Sequence, residues 1–187
     1  MMTLRDALEV VAAHRGERIV ISTMSAAGVW PSLSDKPLDF AYLPSSMSMG
    51  PALGLGLALA QPRGVIVLNG DGCMLMSLGS LVTLANHPAN VFLLIVDNAL
   101  YEVTGGQATA GTGHTDFAQL ARGAGIRRVY TFDTLDAWRA GAAEALAGEG
   151  PVVVWLRIEG RLGEKTPKPP HPMREQIARL QKALGVR

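Results

Sequence analysis

At 187 residues, with 48% hydrophobic and 18% charged residues, the chain has the length of one domain with a substantial core and is too apolar for disorder. Its net charge of +1 leaves no electrostatic footprint for nucleic acid. The single cysteine, Cys73, excludes an internal disulfide and a four-cysteine metal site.

The N-terminal MMTLRDALEV contains acids and no long apolar stretch, so it does not read as a signal peptide. The longest apolar run, VFLLIV from Val91 to Val96, is too short to span a membrane. A reducing cytoplasm is the expected compartment. The high apolar content also hints at surface covered by a partner. Residues 161–187 carry seven Lys/Arg against two Glu, and this basic end reads as a solvated C-terminal helix.

In chain order, Thr3–His14 has Leu4, Leu8 and Val11 at helical spacing, with Thr3 as N-cap and Asp6 three residues on, close to a capping box. RIVIST (18–23) is a short buried strand. The next segment, 25–46, is rich in Gly, Pro and Ser and reads as mostly loop, with DFAYL (39–43) as a strand. MGPALGLGLALAQ (49–61) reads as a helix with Pro51 in its first turn. Its small residues allow close approach of another backbone or a ligand. GVIVLNGDG (64–72) is a strand ending in a glycine-rich turn, SLGSLVTLANH (77–87) a helix and NVFLLIVDN (90–98) the next strand. YEVTGGQATAGTGHT (101–115) reads as a long Gly/Thr loop, a length that is usually functional or mobile. Then come a helix from Asp116, a strand IRRVYTF (126–132), a helix from Thr134 and a strand PVVVWLRIE (151–159). A Pro-rich linker over 160–172 and a terminal helix over 173–185 close the chain, within a single domain over 1–187. Alternating helices and continuously apolar strands predict an α/β fold, a parallel sheet with helices on both faces.

Parallel strands of a right-handed βαβ unit end at the same edge of the sheet, about 5 Å apart if adjacent. Asp71, just past one strand, and Asn98, at the end of the next, therefore converge at the edge where open α/β sheets bind ligands. A carboxylate, an amide oxygen and backbone carbonyls are hard ligands that suit Mg²⁺ or Ca²⁺. Gly70 and Gly72 let phosphates approach the backbone, and amides ahead of the following helix can donate to them. Turn-forming Asp-Gly and strand-closing Asn are the alternative reading of the same residues.

GDG followed by 25 residues and Asn98 resembles the motif of thiamine diphosphate enzymes, which reads GDG and then Asn-Asn. Asp97 stands where the first Asn is usual. The chain further resembles the β subunits of sulfopyruvate decarboxylase and phosphonopyruvate decarboxylase-like proteins. It shares LNGDG, the DNxxYxxTGGQxT pattern over Asp97–Thr109, and the following Asp116-Phe117.

The resemblance implies a thiamine diphosphate-binding fold and Mg²⁺ held by the side chains of Asp71 and Asn98 and the carbonyl of Leu100. Gly70, Gly72, Cys73 and Tyr101 would flank the cofactor. Met49 would be the apolar residue beneath it, and the carbonyl of Met47 would accept from its aminopyrimidine. Thr104, Gly105, Gly106 and Gln107 fall where a substrate loop is expected. Loop 22–37 has no arginine to grip a sulfonate or phosphonate.

The implied activity is nonoxidative decarboxylation of a 2-oxo acid. The catalytic glutamate would come from a pyrimidine-domain (α) partner, so that the chain is one subunit of a heteromer. An acetolactate synthase-like carboligase subunit and a catalytically silent cofactor-binding or regulatory subunit are the rival readings. Elsewhere, Glu102 reads as an exposed loop carboxylate, His114 as a solvated loop residue, and His14 and His87 as helix-end residues. His171 falls in the Pro-rich linker.

Overall fold

The computed structural model describes residues 2–42, 47–161 and 167–186. Part of the expected linker, 162–166, lies outside the described residues, as does the end of the expected DFAYL strand. Six strands form a fully parallel sheet: β1 (Ile19–Ser22), β2 (Asp39–Ala41), β3 (Val65–Gly70), β4 (Val91–Asp97), β7 (Arg128–Phe132) and β8 (Val152–Arg157), in the order β2-β1-β3-β4-β8-β7. The central strands β1, β3, β4 and β8 are apolar along nearly their whole length because helices cover both of their faces.

One face packs on α1 (Leu4–His14), α2 (Met24–Val29) and α7 (Leu135–Ala145). The other packs on α3 (Gly50–Ala60), α5 (Gly79–Asn86), α6 (Phe117–Gly123) and α8 (Met173–Leu184). The helix ends follow from side-chain chemistry. Thr3 and Asp6 close a reciprocal capping box at α1, each bond to backbone 3.1 Å. Asp116 and Thr134 cap α6 and α7 through the amides of Gln119 and Ala137. Trp138 joins α7 to α1 by donating from Nε1 to the carbonyl of Ala7, 3.0 Å. At the sheet edge, Gln176 of α8 accepts the amide proton of Ala41 at 2.7 Å, so the basic helix is docked rather than merely solvated.

Three segments depart from the sequence reading. Residues 24–32 are helical, as α2 followed by a 3-10 turn over Trp30–Ser32, where a loop was expected. Ala26, Ala27 and Trp30 are buried there, so packing overrides the weak local signal. The turn expected after β3 is the start of a short helix, α4 (Asp71–Leu75). The expected loop over 101–115 contains a hairpin, β5 (Leu100–Tyr101) paired with β6 (Gln107–Ala108), joined through a 3-10 turn over Glu102–Thr104. Gly105 and Gly106 take φ of 135° and 77° there, which L-residues rarely adopt.

Connections from β1 and β3 leave on opposite faces of the sheet, through α2 and through α4 and α5. That reversal opens a crevice at the C-terminal edge between them. The crevice depends on α3 lying close to the sheet: a Cβ on Gly54 would meet Val67 Cγ2 at 2.5 Å, whereas one on Gly56 would meet nothing within 4 Å. Gly54→Ala is therefore expected to destabilise the chain by about 1–3 kcal/mol through overpacking. Gly56→Ala should stabilise it by about 0.5–1 kcal/mol through helix propensity. Urea denaturation of the two variants checks the opposite signs.

Candidate functional site

The register of β3 on β4 sets Gly70 opposite Val96. One residue further along, Asp71 comes level with Asp97, and Asn98 follows. Gly70 caps α4 without a side chain, so Asp71 and Gly72 lie in the first turn, where amides have no helical acceptor. A Cβ on Gly72 would meet the Tyr101 ring at 2.5 Å, so glycine is required for the hairpin to close over α4.

Asp71 is 2% exposed. Its Oδ2 accepts from Thr109 Oγ1 at 2.9 Å. Burial first, and then the neighbouring Asp97 carboxylate, push its pKa up to about 7. Asp97 is itself pinned: Oδ2 accepts from Trp155 Nε1 at 2.9 Å and Oδ1 from the amide of Ala99 at 3.0 Å. Two carboxylates side by side form a site short of positive charge. Asn98 Oδ1 accepts from the amide of Leu100 at 3.0 Å, which leaves that oxygen a second lone pair. These donors fit a hard divalent cation.

Two cavities open at this edge and share Asp71, Asn98 and Ile158. The first, about 130 Å³, lies between the ends of β1 and β3, against the hairpin. Thr23, Ser25, Gly70, Gly72, Cys73, Leu100 and Tyr101 contribute to a lining dominated by apolar groups, with no Lys, Arg or His among its described residues. The second, about 660 Å³ and more polar, extends past Thr109, His114 and Asp116 towards Arg157.

Most of the expected site residues meet here. Met47 is 48% exposed and lines the first cavity; Met49, at the start of α3 and 45% exposed, lines neither. Thr104 reaches the first cavity, whereas Gly105, Gly106 and Gln107 form the far end of the hairpin outside both linings. Cys73 is buried, and desolvation raises its thiol pKa. His114 is exposed. Glu102 departs from its reading as an exposed carboxylate. It is partly buried, accepts from Ser25 Oγ at 2.7 Å and from the amide of Arg161 at 3.2 Å, and lines the first cavity.

Sequence reasoning missed four contributors. Thr109 was visible only as a motif position. Thr23 joins β1 to β3 by donating to the Leu68 carbonyl at 3.0 Å. Met24 and Ala99 take φ of 47° and 61°, conformations that cost non-glycine residues about 1–3 kcal/mol and cluster at functional sites. Neither is a residue type that advertises such a conformation.

The family model described as "Thiamine pyrophosphate enzyme, C-terminal TPP binding domain" matches residues 22–156. The chain is 37% identical over 155 residues to a phosphonopyruvate decarboxylase of Streptomyces viridochromogenes, covering 81% of this chain and 38% of that relative. It is 41% identical over 129 residues to a sulfopyruvate decarboxylase subunit beta of Methanothermobacter thermautotrophicus, covering 68% of this chain and 66% of that one. The chain thus spans little more than a third of the first relative's length and about two thirds of the second's. Benzoylformate decarboxylase from Polynucleobacter necessarius has the same fold, with TM-score 0.73 and 20% identity over 87% of this chain and 34% of that one.

The burial of Asp71 sets a pH dependence for the metal-free chain. Its folded pKa, about 7, lies above the ordinary value of 3.8, so the folded state holds a proton that the unfolded state has lost. This contribution to stability is full below about pH 4 and is lost as pH rises through 7. Metal-free protein should lose stability on the order of a few kcal/mol between pH 4 and 8 from this group. Asp71→Asn should flatten the dependence and be the more stable form at pH 8. Denaturant midpoints across that range test it; an unchanged slope in the variant would contradict it.

Proposed function

The chain belongs to the thiamine pyrophosphate enzyme family, and from that premise we propose that it is the diphosphate- and Mg²⁺-binding subunit of a 2-oxo acid decarboxylase. The observation that carries the reading is the buried Asp71 carboxylate beside the half-buried Asp97 and Asn98, hard oxygens with no cation among the groups that shift the pKa of Asp71. A divalent cation supplies the opposing charge. The side chains of Asp71 and Asn98 and the carbonyl of Leu100 would hold it. Because no cationic side chain is among the described residues of the first cavity, the metal is also what offsets a bound diphosphate.

The remaining wall suits the same ligand. The amides of the α4 first turn and the hydroxyls of Thr23 and Ser25 are donors for phosphate oxygens. Gly70, Gly72, Cys73 and Tyr101 form a close-fitting wall. Met47, Met76 and Val103 are apolar and keep water from the inner part of the cavity. Bound there, thiamine diphosphate supplies the carbon nucleophile and the electron sink that let a 2-oxo acid lose CO₂. Met47 and Met49, both about half exposed, are available to its organic rings. Thr104 and Glu102 face the cavity from the hairpin and are the groups nearest to hand for orienting a substrate; Gly105, Gly106 and Gln107 shape the turn behind them.

The decarboxylase assignment draws on the relatives named above, and the heteromer on the relative named a subunit beta. A second chain would bring the pyrimidine-binding half and its activating glutamate. No helix among the described residues is long and apolar enough to cross a membrane.

Calorimetry of thiamine diphosphate binding to the purified chain, with and without Mg²⁺, is the direct test. Binding should require the metal. Asp71→Ala and Asn98→Ala should each abolish it, since each removes an oxygen that the cation needs. Equal affinity in either variant would sink the reading. Decarboxylation of a 2-oxo acid should appear only when a pyrimidine-domain partner is added.

A further inference from the structure

One buried side chain touches the candidate metal residues without being one of them. Thr109 is 5% exposed and follows directly on β6. Its hydroxyl donates to Asp71 Oδ2 at 2.9 Å, and its amide donates to the carbonyl of Ala99 at 2.9 Å. Thr112 Oγ1 lies 3.1 Å from Thr109 Oγ1 and donates to that same Ala99 carbonyl at 3.0 Å. A hydroxyl carries one proton. Thr109 commits its proton to the carboxylate, so at the Thr112 contact it can only accept, and the single Thr112 proton is divided between Thr109 and the Ala99 carbonyl.

We propose that Thr109 is the positioning residue of the cation site, holding the Asp71 carboxylate and the Ala99 turn in one fixed relation. This rests on the cation reading above. The geometry has two consequences. Oδ2 of Asp71 is held by a neutral donor, which restricts the rotation of the carboxylate without neutralising it. On the other side, Ala99 has φ of 61° and lies between Asn98 and Leu100. Its amide is used by Asp97 and its carbonyl by Thr109 and Thr112. The left-handed turn that sets Asn98 and Leu100 is thus held by Thr109, which also bonds Asp71, and by Thr112 behind it. The ends of β3 and β4 are joined by one four-residue segment, 109–112, and the hairpin exists in part to deliver it.

Outer partners of metal-binding carboxylates typically contribute about 10–100-fold to metal affinity. The test is a calorimetric Mg²⁺ titration at saturating thiamine diphosphate on the wild-type chain, Thr109→Val and Thr109→Ser, well below their unfolding temperatures. Thr109→Val keeps the shape and loses the proton, and should weaken Mg²⁺ by about 10–100-fold. Thr109→Ser keeps the proton and should bind within a few-fold of wild type. A merely structural role would lower the unfolding temperature of Thr109→Val while leaving its Mg²⁺ affinity unchanged, and that result overturns the proposal. So does equal weakening in both variants, because Thr109→Ser keeps the hydroxyl and the loss would then not follow the proton. Should Thr109→Val fail to fold, Thr112→Val spares the bond to Asp71 but removes the hydroxyl behind it. It should weaken Mg²⁺ in the same direction, and unchanged affinity there is equally adverse. Absence of Mg²⁺-dependent binding in the wild-type chain would count against the cation reading itself, so the two failures are distinguishable.

Discussion

Asp71 is a carboxylate at the end of an apolar strand, out of water and beside a second carboxylate. A buried charge is tolerated only when something opposes it, and the groups acting on Asp71 are Asp97, Thr109 and the Gly72 backbone, none of them a cation. The surroundings do the opposite of relieving it: the parallel register sets Asp97 level with it, and Trp155 and Ala99 hold Asp97 in place. Much of the local structure can be traced to accommodating this group. Glycine at 72 admits Tyr101, the hairpin follows, and Thr109 arrives at the carboxylate from the far side. The arrangement costs stability in the metal-free chain, and under the proposed cation reading that cost is exchanged for affinity, as is usual at a binding site.

The sheet was legible because its signal is redundant. Each of β3, β4 and β8 is a run of four to six apolar residues entered from Gly, Asn or Pro and closed by a polar residue, and burial on both faces leaves little else that such a run can be. The cap residue Thr3 was equally readable, since it acts within three residues along the chain, and the helices placed from Asp116 and Thr134 begin at residues that cap them in the same way. Asp71 and Asn98 were singled out by combining strand direction with ligand chemistry, and the family resemblance favoured the metal reading over simple turn formation.

What escaped the sequence is whatever depends on tertiary contact. Helix α2 is made of small residues with weak preferences, and its position is set by burial of Ala27 and Trp30 rather than by any periodicity. The hairpin strands are two residues each, too short to show alternation. Glu102 lost its expected exposure because Ser25, 77 positions away, reaches it. Met24 and Ala99 take left-handed backbone angles without glycine or asparagine to announce them. Such strain persists only where surrounding bonds over-determine it, and at Ala99 three hydrogen bonds do so.

The distribution of charge around the two cavities argues for how the site is completed. The first cavity has Glu102 as a negative neighbour of Asp71 and, among its described residues, no positive one. An anionic cofactor cannot be held there by this chain's side-chain charges; only a metal, helix amides and hydroxyls remain. Each of those acts at the phosphate end. The opposite end is bordered by Met47, Met76 and Val103, each about half exposed, large apolar side chains that a second protein surface would cover with net gain. A site charged at its inner end and apolar at its open end is suited to gripping one part of an extended ligand while a partner encloses the rest. That division of labour is the physical content of the proposed heteromer, and it follows from the same shortage of positive charge that motivates the proposed metal at Asp71.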